Sequence, residues 1–333
     1  MGFCTKCSQK LAFNTYRLMK IKLILLLLIL LTNSCSNAQK NKTFTSLKEA
    51  LQNPKNVYHL SLNKKDILKR ANTVASPIRE DMFMDKLPES ILKLTNLEKL
   101  DLGYNKLFIF PGELGNLSKL NSLSIFSNQL TTIPDAVGNL KRLTFLDLRL
   151  NQIRQMSSAI GQLSNLTRLS LSFNKLTSIP SSVGQLQQLD SLELGYNQLK
   201  TIPKSIGDLS ELKGVWLNSN KLTTIPDGVF KLKKLKVLGL SHNKIKKLSN
   251  SVGDLKGLER LGLKNNQLTT LPESIGNLKH LKYLDLRNNS LTKLPKSVGD
   301  LKNLRELLIS DNQLSQAEKQ KIQELLPKCK IRF

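Results

Sequence analysis

Cysteine, histidine and tryptophan are close to absent, with four Cys, three His and one Trp in 333 residues. Two of the cysteines, Cys4 and Cys7, lie in the first ten residues. Cys35 and Cys329 alone cannot make a disulfide framework, so the fold must rest on an apolar core. The spacing of "CTKC" suits a redox or zinc pair, but a metal site needs a second pair and none follows. His59, His242 and His280 fall in no H-E-x-x-H pattern, and no G-x-S-x-G or phosphate-loop motif occurs. The reading is therefore of a chain that is not an enzyme, with no cofactor and no metal. Acids are also scarce, 25 against 51 basic residues, for a formal charge of +26. Such a surplus draws a protein to anionic surfaces such as phospholipid head groups, acidic glycans or phosphate polymers.

No long hydrophobic run accompanies that charge. The apolar stretch at 23–31 has nine residues, whereas a spanning helix needs about 20. Lys20 and Lys22 precede it and "LTNSC" follows, which are the parts of a secretory signal. "LTNSC" resembles a bacterial lipobox at Leu31, Ser34 and Cys35, and departs from it at Thr32 and Asn33. The resemblance implies cleavage before Cys35, lipid on Cys35, and a place in the cell envelope as an outer-membrane lipoprotein. Residues 1–18 have no place in such a signal, so translation is expected to start at Met19, with 19–34 the signal and 35–44 a polar tether. "MGFCTK" is close to a myristoylation start but has Lys6 where Ser or Thr is wanted. The alternative is a cytoplasmic protein that keeps its leader.

From residue 97 the chain repeats every 23 residues without insertion. The opening leucines are Leu97, Leu120, Leu143, Leu166, Leu189, Leu212, Leu235, Leu258, Leu281 and Leu304. An asparagine holds a matching column: Asn105, Asn128, Asn151, Asn174, Asn197, Asn220, Asn243, Asn266, Asn289 and Asn312. A fixed period of this length is the mark of a solenoid, in which no unit buries its apolar face alone. In "LTRLSLSFNKLTSIPSSVGQLQQ" the first half alternates apolar and polar, as a half-buried strand does. Pro180, Val183 and Leu186 then predict a short helical or 3₁₀ turn on the opposite side.

The pattern L-x-x-L-x-L-x-x-N-x-L, continued by "IP" and "xxIGxL", resembles the leucine-rich repeat in its 23-residue form. That form occurs in Ras-suppressor and Scribble-like proteins, plant intracellular leucine-rich repeat proteins and many bacterial proteins. The resemblance covers 97–314, as ten repeats. It implies an α/β solenoid, a right-handed arc with a parallel sheet on the concave face and short helical turns on the convex face. The asparagines are expected to satisfy backbone groups of neighbouring units rather than to react. Ser157 and Ser249 in place of proline, and Phe230 in place of glycine, predict local adjustments of the convex side.

Caps are expected at both ends. Residues 45–96 read as an N-terminal cap with an irregular first repeat at Val57, Leu60 and Leu62, and 315–333 as a helix-strand cap. Ser46 with Glu49, and Ser315 with Glu318, form capping-box patterns. Cys329 is expected to pack as a small hydrophobe. A surplus near Met82, Phe83 and Met84 would cover the first units or form a contact loop.

Function is to be sought where the units differ. The strand positions turned to the concave face carry Phe126, Phe145, Arg149, Arg168, Phe173, Glu193, Tyr196 and Trp216. Aromatic and arginine clusters anchor protein interfaces. Phe173 and Tyr196 read equally as filler along the strand edge, while Trp216, between Val215 and Leu217, should be exposed. The dense lysines at Lys231, Lys233, Lys234, Lys236, Lys244, Lys246 and Lys247 fall on convex and edge positions, so no nucleic acid is expected. The sequence thus points to a binding arc for a protein or glycan, joined to a membrane through Cys35. An intracellular signalling scaffold is the second reading. An enzyme using a concave acid such as Asp147 or Glu193 is the third.

Overall fold

Leucines at alternate strand positions leave one face of each strand to be buried, and the 23-residue spacing lets every unit bury it against the next. A computed structural model describes residues 40–64 and 83–333. Residues 1–34, Cys35 with its expected lipid, and Met82 lie outside those described. Thirteen strands form one parallel sheet in chain order along an arc. It begins with Thr43–Phe44, His59–Ser61 and Lys99–Asp101, runs one short strand per repeat, and ends with Glu306–Leu308 and Lys330–Arg332. Pairing is in register by whole repeats, so Phe145 stands beside Arg168, and Glu193 beside Trp216. A second sheet of two residues per strand, Thr132–Ile133 with Gln155–Met156, lies outside this one. Among the described residues no helix is long and apolar enough to cross a membrane.

The core is a continuous leucine stack. In the unit that opens at Leu166, all seven apolar residues (Leu166, Leu169, Leu171, Leu176, Ile179, Val183, Leu186) are buried. The opposite side is a row of five-residue 3₁₀ turns such as Ser181–Gln185. At Ser157 the convex side adjusts in its hydrogen bonding, since the N–H that proline lacks donates to Ile133 O at 3.0 Å at the end of the two-stranded sheet, while the backbone dihedral is kept at both Ser157 and Ser249. Their φ angles of −61° and −63° match the −69° of Pro180. Each Ser Oγ also accepts from a backbone N–H of the following turn, Ala159 at 3.0 Å and Ser251 at 3.2 Å, which proline cannot do.

Phe230 changes the packing of the convex side. It is buried in the turn Asp227–Lys231, which packs closely on the preceding turn and less on the following one. Gly228 permits the close approach, because a Cβ there would lie 2.1 Å from the Lys204 carbonyl oxygen.

The asparagine column is the second framework. Asn174 Nδ2 donates to Leu148 O at 2.9 Å in the preceding unit and to Leu171 O at 3.0 Å in its own. Its Oδ1 accepts from Ile153 N at 2.9 Å. The same bonds recur from Asn105 to Asn312, so one amide closes three backbone groups per repeat.

Both ends are capped, though not by full capping boxes. Ser46 and Ser315 accept from the Glu49 and Glu318 amides, at 3.4 and 3.2 Å. The glutamates do not reciprocate. Glu49 pairs with Lys42, and Glu318 accepts from Leu294 N at 3.0 Å, a group left open at the end of the stack. Met84 packs against the core and its N–H donates to Asn105 Oδ1 at 3.0 Å, so this part of the surplus covers the first repeat. Cys329 packs beside the last strand, where burial pushes its thiol up to about 11.

Candidate functional site

Each strand presents its non-leucine residues on the concave side, and neighbouring strands lie about 4.8 Å apart. Side chains from successive repeats therefore touch in rows. The structure resolves the eight candidates into pairs rather than one cluster. Arg149 lies over Phe126 at 5.4 Å, and Tyr104 meets the other side of Phe126 edge-on at 5.0 Å. Arg168 lies over Phe145 at 5.9 Å. Phe173 and Tyr196 stack face to face with centroids 4.1 Å apart and an interplanar angle of 8°. Glu193 is half-buried between Ser170 and Trp216 in the strand register.

The two arginines are not equivalent. Arg149 grips buried Asp147 with two bonds, Nε to Oδ1 at 2.9 Å and a terminal nitrogen to Oδ2 at 2.6 Å. Those bonds hold its guanidinium above the ordinary arginine pKa. Its charge is thus largely answered within the fold. Arg168 is exposed and makes no ion pair among the described residues. It is the cation in this region that remains open to a ligand. A second Asp-Arg grip, Asp285 with Arg287 at 2.9 and 2.6 Å, sits at least four repeats away from these pairs, next to Tyr283, over which Arg260 lies at 5.0 Å.

Trp216 departs from the expected exposure. It is half-buried, with its indole folded back over Gly214. A Cβ at Gly214 would come within 2.3 Å of the ring, so the glycine makes the resting place for the side chain. One strand, Ser191–Glu193, separates the strand of Arg168 from that of Trp216, and it places small Ser191 beside Arg168.

One feature of this face has no trace in the periodic pattern. The residue before each ladder asparagine has a left-handed backbone, with φ from 53° to 60° at all ten positions. Asn, Asp and Gly tolerate that region, whereas bulky residues pay for it in steric strain. Asn265, Asn288 and Asp311 obey this preference in the C-terminal repeats. Leu150, Phe173 and Tyr196 violate it in three consecutive repeats, and all three are exposed, at 43, 45 and 52%. Phe173 and Tyr196 pack on each other along the strand edge and are both exposed, so they form one aromatic step. Leu150 and Tyr104 belong to the same column and were missed, although reading down the slot before each asparagine would have found them.

The dense lysines between Lys231 and Lys247 are all exposed. Lys234 pairs with Glu211 at 2.6 Å and Lys236 with Glu259 at 3.4 Å, along the edge that leads into the strands. No stacking aromatics alternate with them. Among the described residues there is no group of three or more His, Cys, Asp or Glu able to hold a metal.

Comparison with family models matches a leucine-rich repeat region over 112–213 and 249–326, and leucine-rich repeats over 210–268 and 96–117. The chain belongs to the leucine-rich repeat family. No match was found among curated proteins. Among solved structures, this leucine-rich repeat protein is similar to one from Leptospira interrogans, at 30% identity over 88% of this chain and 100% of that one, with a TM-score of 0.45. It is also similar to the Arabidopsis receptor kinase HAESA, solved with the peptide hormone IDA and the co-receptor SERK1. There the identity is 34%, the coverage 66% of this chain and 39% of that one, and the TM-score 0.59. The plant peptide hormone receptor RGFR1, solved with RGF2, gives 30%, 69%, 42% and 0.57. The chain thus spans about two fifths of each plant receptor. Leucine-rich repeats are in general protein-binding folds, and this one carries that architecture over the matched residues 96–326.

Proposed function

We propose that this chain is a non-enzymatic binding protein whose concave face takes an extended segment of a protein ligand. The observation that carries the reading is the row Leu150, Phe173 and Tyr196, large apolar side chains held exposed on a strained backbone where smaller polar residues would be more stable. Strain at exposed positions, offset only in part by the Phe173–Tyr196 stack, is a signature of a functional surface. Arg168, five residues before Phe173 at the other end of the strand face, supplies an open cation, so an extended ligand with an acidic residue several positions from its apolar one fits best. The plant receptors that resemble the chain were solved with peptide hormones, which supports a peptide over a glycan. The closed Phe173–Tyr196 stack points the same way, since its inner ring faces are unavailable to a sugar.

Replacing both aromatics with asparagine, Phe173→Asn/Tyr196→Asn, should move stability and binding in opposite senses. Relief of left-handed strain is worth about 1–2 kcal/mol per residue, against about 0.5–1.5 kcal/mol for the lost stack. The melting temperature is expected to hold or rise. Peptides enriched on the wild-type protein from a random displayed library are expected to lose most of their affinity for this variant and for Arg168→Glu. Undiminished binding to both would remove the site from this face.

The setting we propose is a bacterial cell envelope, with the arc anchored to the outer membrane through lipid on Cys35. The support is the signal-like stretch ending in "LTNSC" and the charge of +26, suited to an anionic surface. A Cys35→Ala variant is expected to leave the membrane fraction, and the wild-type protein to carry a diacylglycerol mass at its new N-terminus. A wild-type chain found unlipidated with residues 1–18 attached would favour the intracellular scaffold instead.

A further inference from the structure

The first repeat differs from the other nine on the side away from the concave face. After the last strand-side leucine of each unit come two outward positions, held by Thr131 and Thr132, Lys200 and Thr201, or Lys246 and Lys247. In the first repeat they are Phe108 and Ile109, exposed at 52 and 68%. They are the only apolar pair in that column. Both line an open groove of about 380 Å³ whose floor includes Leu87, Leu92 and Pro134. Its size falls within the range of pockets that accept a side chain or small ligand.

The rim of this groove has the sign opposite to the chain as a whole. Asp85, Glu89 and Glu113 stand around it, all exposed, with Lys86 the one basic lining residue. None of the three acids has an ion-pair partner among the described residues. On a protein of net charge +26 this is a local reversal. The acids repel the phosphates of an anionic bilayer, and the apolar pair gains nothing from water, so charge and hydropathy together select the occupant.

We propose that this groove is a second docking site, which takes a cationic segment of a partner protein, with large apolar side chains seated on Phe108 and Ile109 and flanking Lys or Arg on the acidic rim. It lies on the flank of the first repeat and is independent of the concave row. A partner held there would leave the concave face free, so the arc would join two proteins.

The test uses the full chain and a fluorescein-labelled peptide of alternating Lys and Leu or Phe, with a Glu-for-Lys copy as control. Fluorescence anisotropy is expected to show saturable binding of the lysine peptide, weakened about tenfold or more by Phe108→Thr/Ile109→Thr, which copies the next repeat, and by Glu89→Gln/Glu113→Gln. Phe173→Asn/Tyr196→Asn should leave it unchanged, which separates this site from the concave one. Equal binding of the glutamate peptide, or binding indifferent to the Phe108 and Ile109 changes, would overturn the proposal. So would self-association abolished by Phe108→Thr/Ile109→Thr in sedimentation, which would make a second copy the occupant, or loss of phosphatidylglycerol vesicle binding in that variant, which would make it a bilayer.

Discussion

An Asn197→Asp variant is expected to lose about 3–5 kcal/mol of stability at neutral pH, although the side chain keeps its size. Asn197 is buried, donates to Leu171 O at 3.0 Å and Leu194 O at 3.1 Å, and accepts from Leu176 N at 3.0 Å. The carboxylate keeps the acceptor but turns a negative oxygen toward carbonyl groups that need a donor. Each orphaned buried group costs about 1–3 kcal/mol, more where charge is involved. Burial beside carbonyls raises the folded-state pKa of the new acid above its unfolded value near 4. Stability should therefore be greatest below that unfolded value and fall as pH rises toward the folded one. Asn197→Ala should be destabilised without this pH dependence. Urea unfolding followed through Trp216, in the adjoining repeat, reads both. A variant as stable as wild type at pH 7 would mean that water replaces the amide and that the ladder is incidental.

The second large effect concerns Gly228 and Phe230, which exchange the roles found in neighbouring turns. Ser205-Ile206-Gly207 and Ser251-Val252-Gly253 put a small residue first and glycine third, whereas Gly228-Val229-Phe230 does the reverse. Gly228→Ser alone would drive a Cβ to 2.1 Å from Lys204 O, a backbone atom that cannot step aside. A cost of about 3 kcal/mol is expected, the upper end for overpacking. Phe230→Gly alone empties a fully buried aromatic site, at about 3–5 kcal/mol. The double variant restores the pattern of its neighbours, which lets the turn retreat from Lys204 and fill the vacated space. It should come within about 1–2 kcal/mol of wild type, a coupling far above the few tenths seen for independent sites. Calorimetric melting of the four proteins decides it, and simple additivity would falsify the exchange.

Period and leucine position were enough to place the strands, the convex turns and the asparagine amides, because each depends on which side of the chain a residue faces. Facing is what a periodic pattern encodes. Backbone sign is not encoded in that way, so leucine periodicity does not report the left-handed residue before every asparagine. The folded position of Trp216 depends on Gly214, two residues earlier on the same strand, and no alternation rule reports what a missing Cβ allows. Glu49 and Glu318 illustrate the same limit. Their spacing from serine announces a helix start, but a carboxylate goes to the strongest open donor, which is Lys42 in one case and the unpaired Leu294 N–H in the other. Phe108 and Ile109 are legible in the column after Leu107, where every other repeat carries polar residues.

The direction of the amide ladder has a consequence for how the arc is built. Every ladder asparagine finds its partners outside its own unit upstream, 21 and 26 residues earlier from Asn128 onward and 21 and 43 residues earlier at Asn105. A chain that emerges N-terminus first, from a ribosome or through a translocation pore, can lock each turn onto one already complete. Growth is vectorial, and the newest turn always presents a row of open N–H groups to whatever arrives next. The C-terminal helix Gln316–Leu325, entered at Ser315 and closing the stack through Glu318, ends that growth. Chains arrested before Ser315 should thus be adhesive at one end only, and should pair with a free second half of the solenoid.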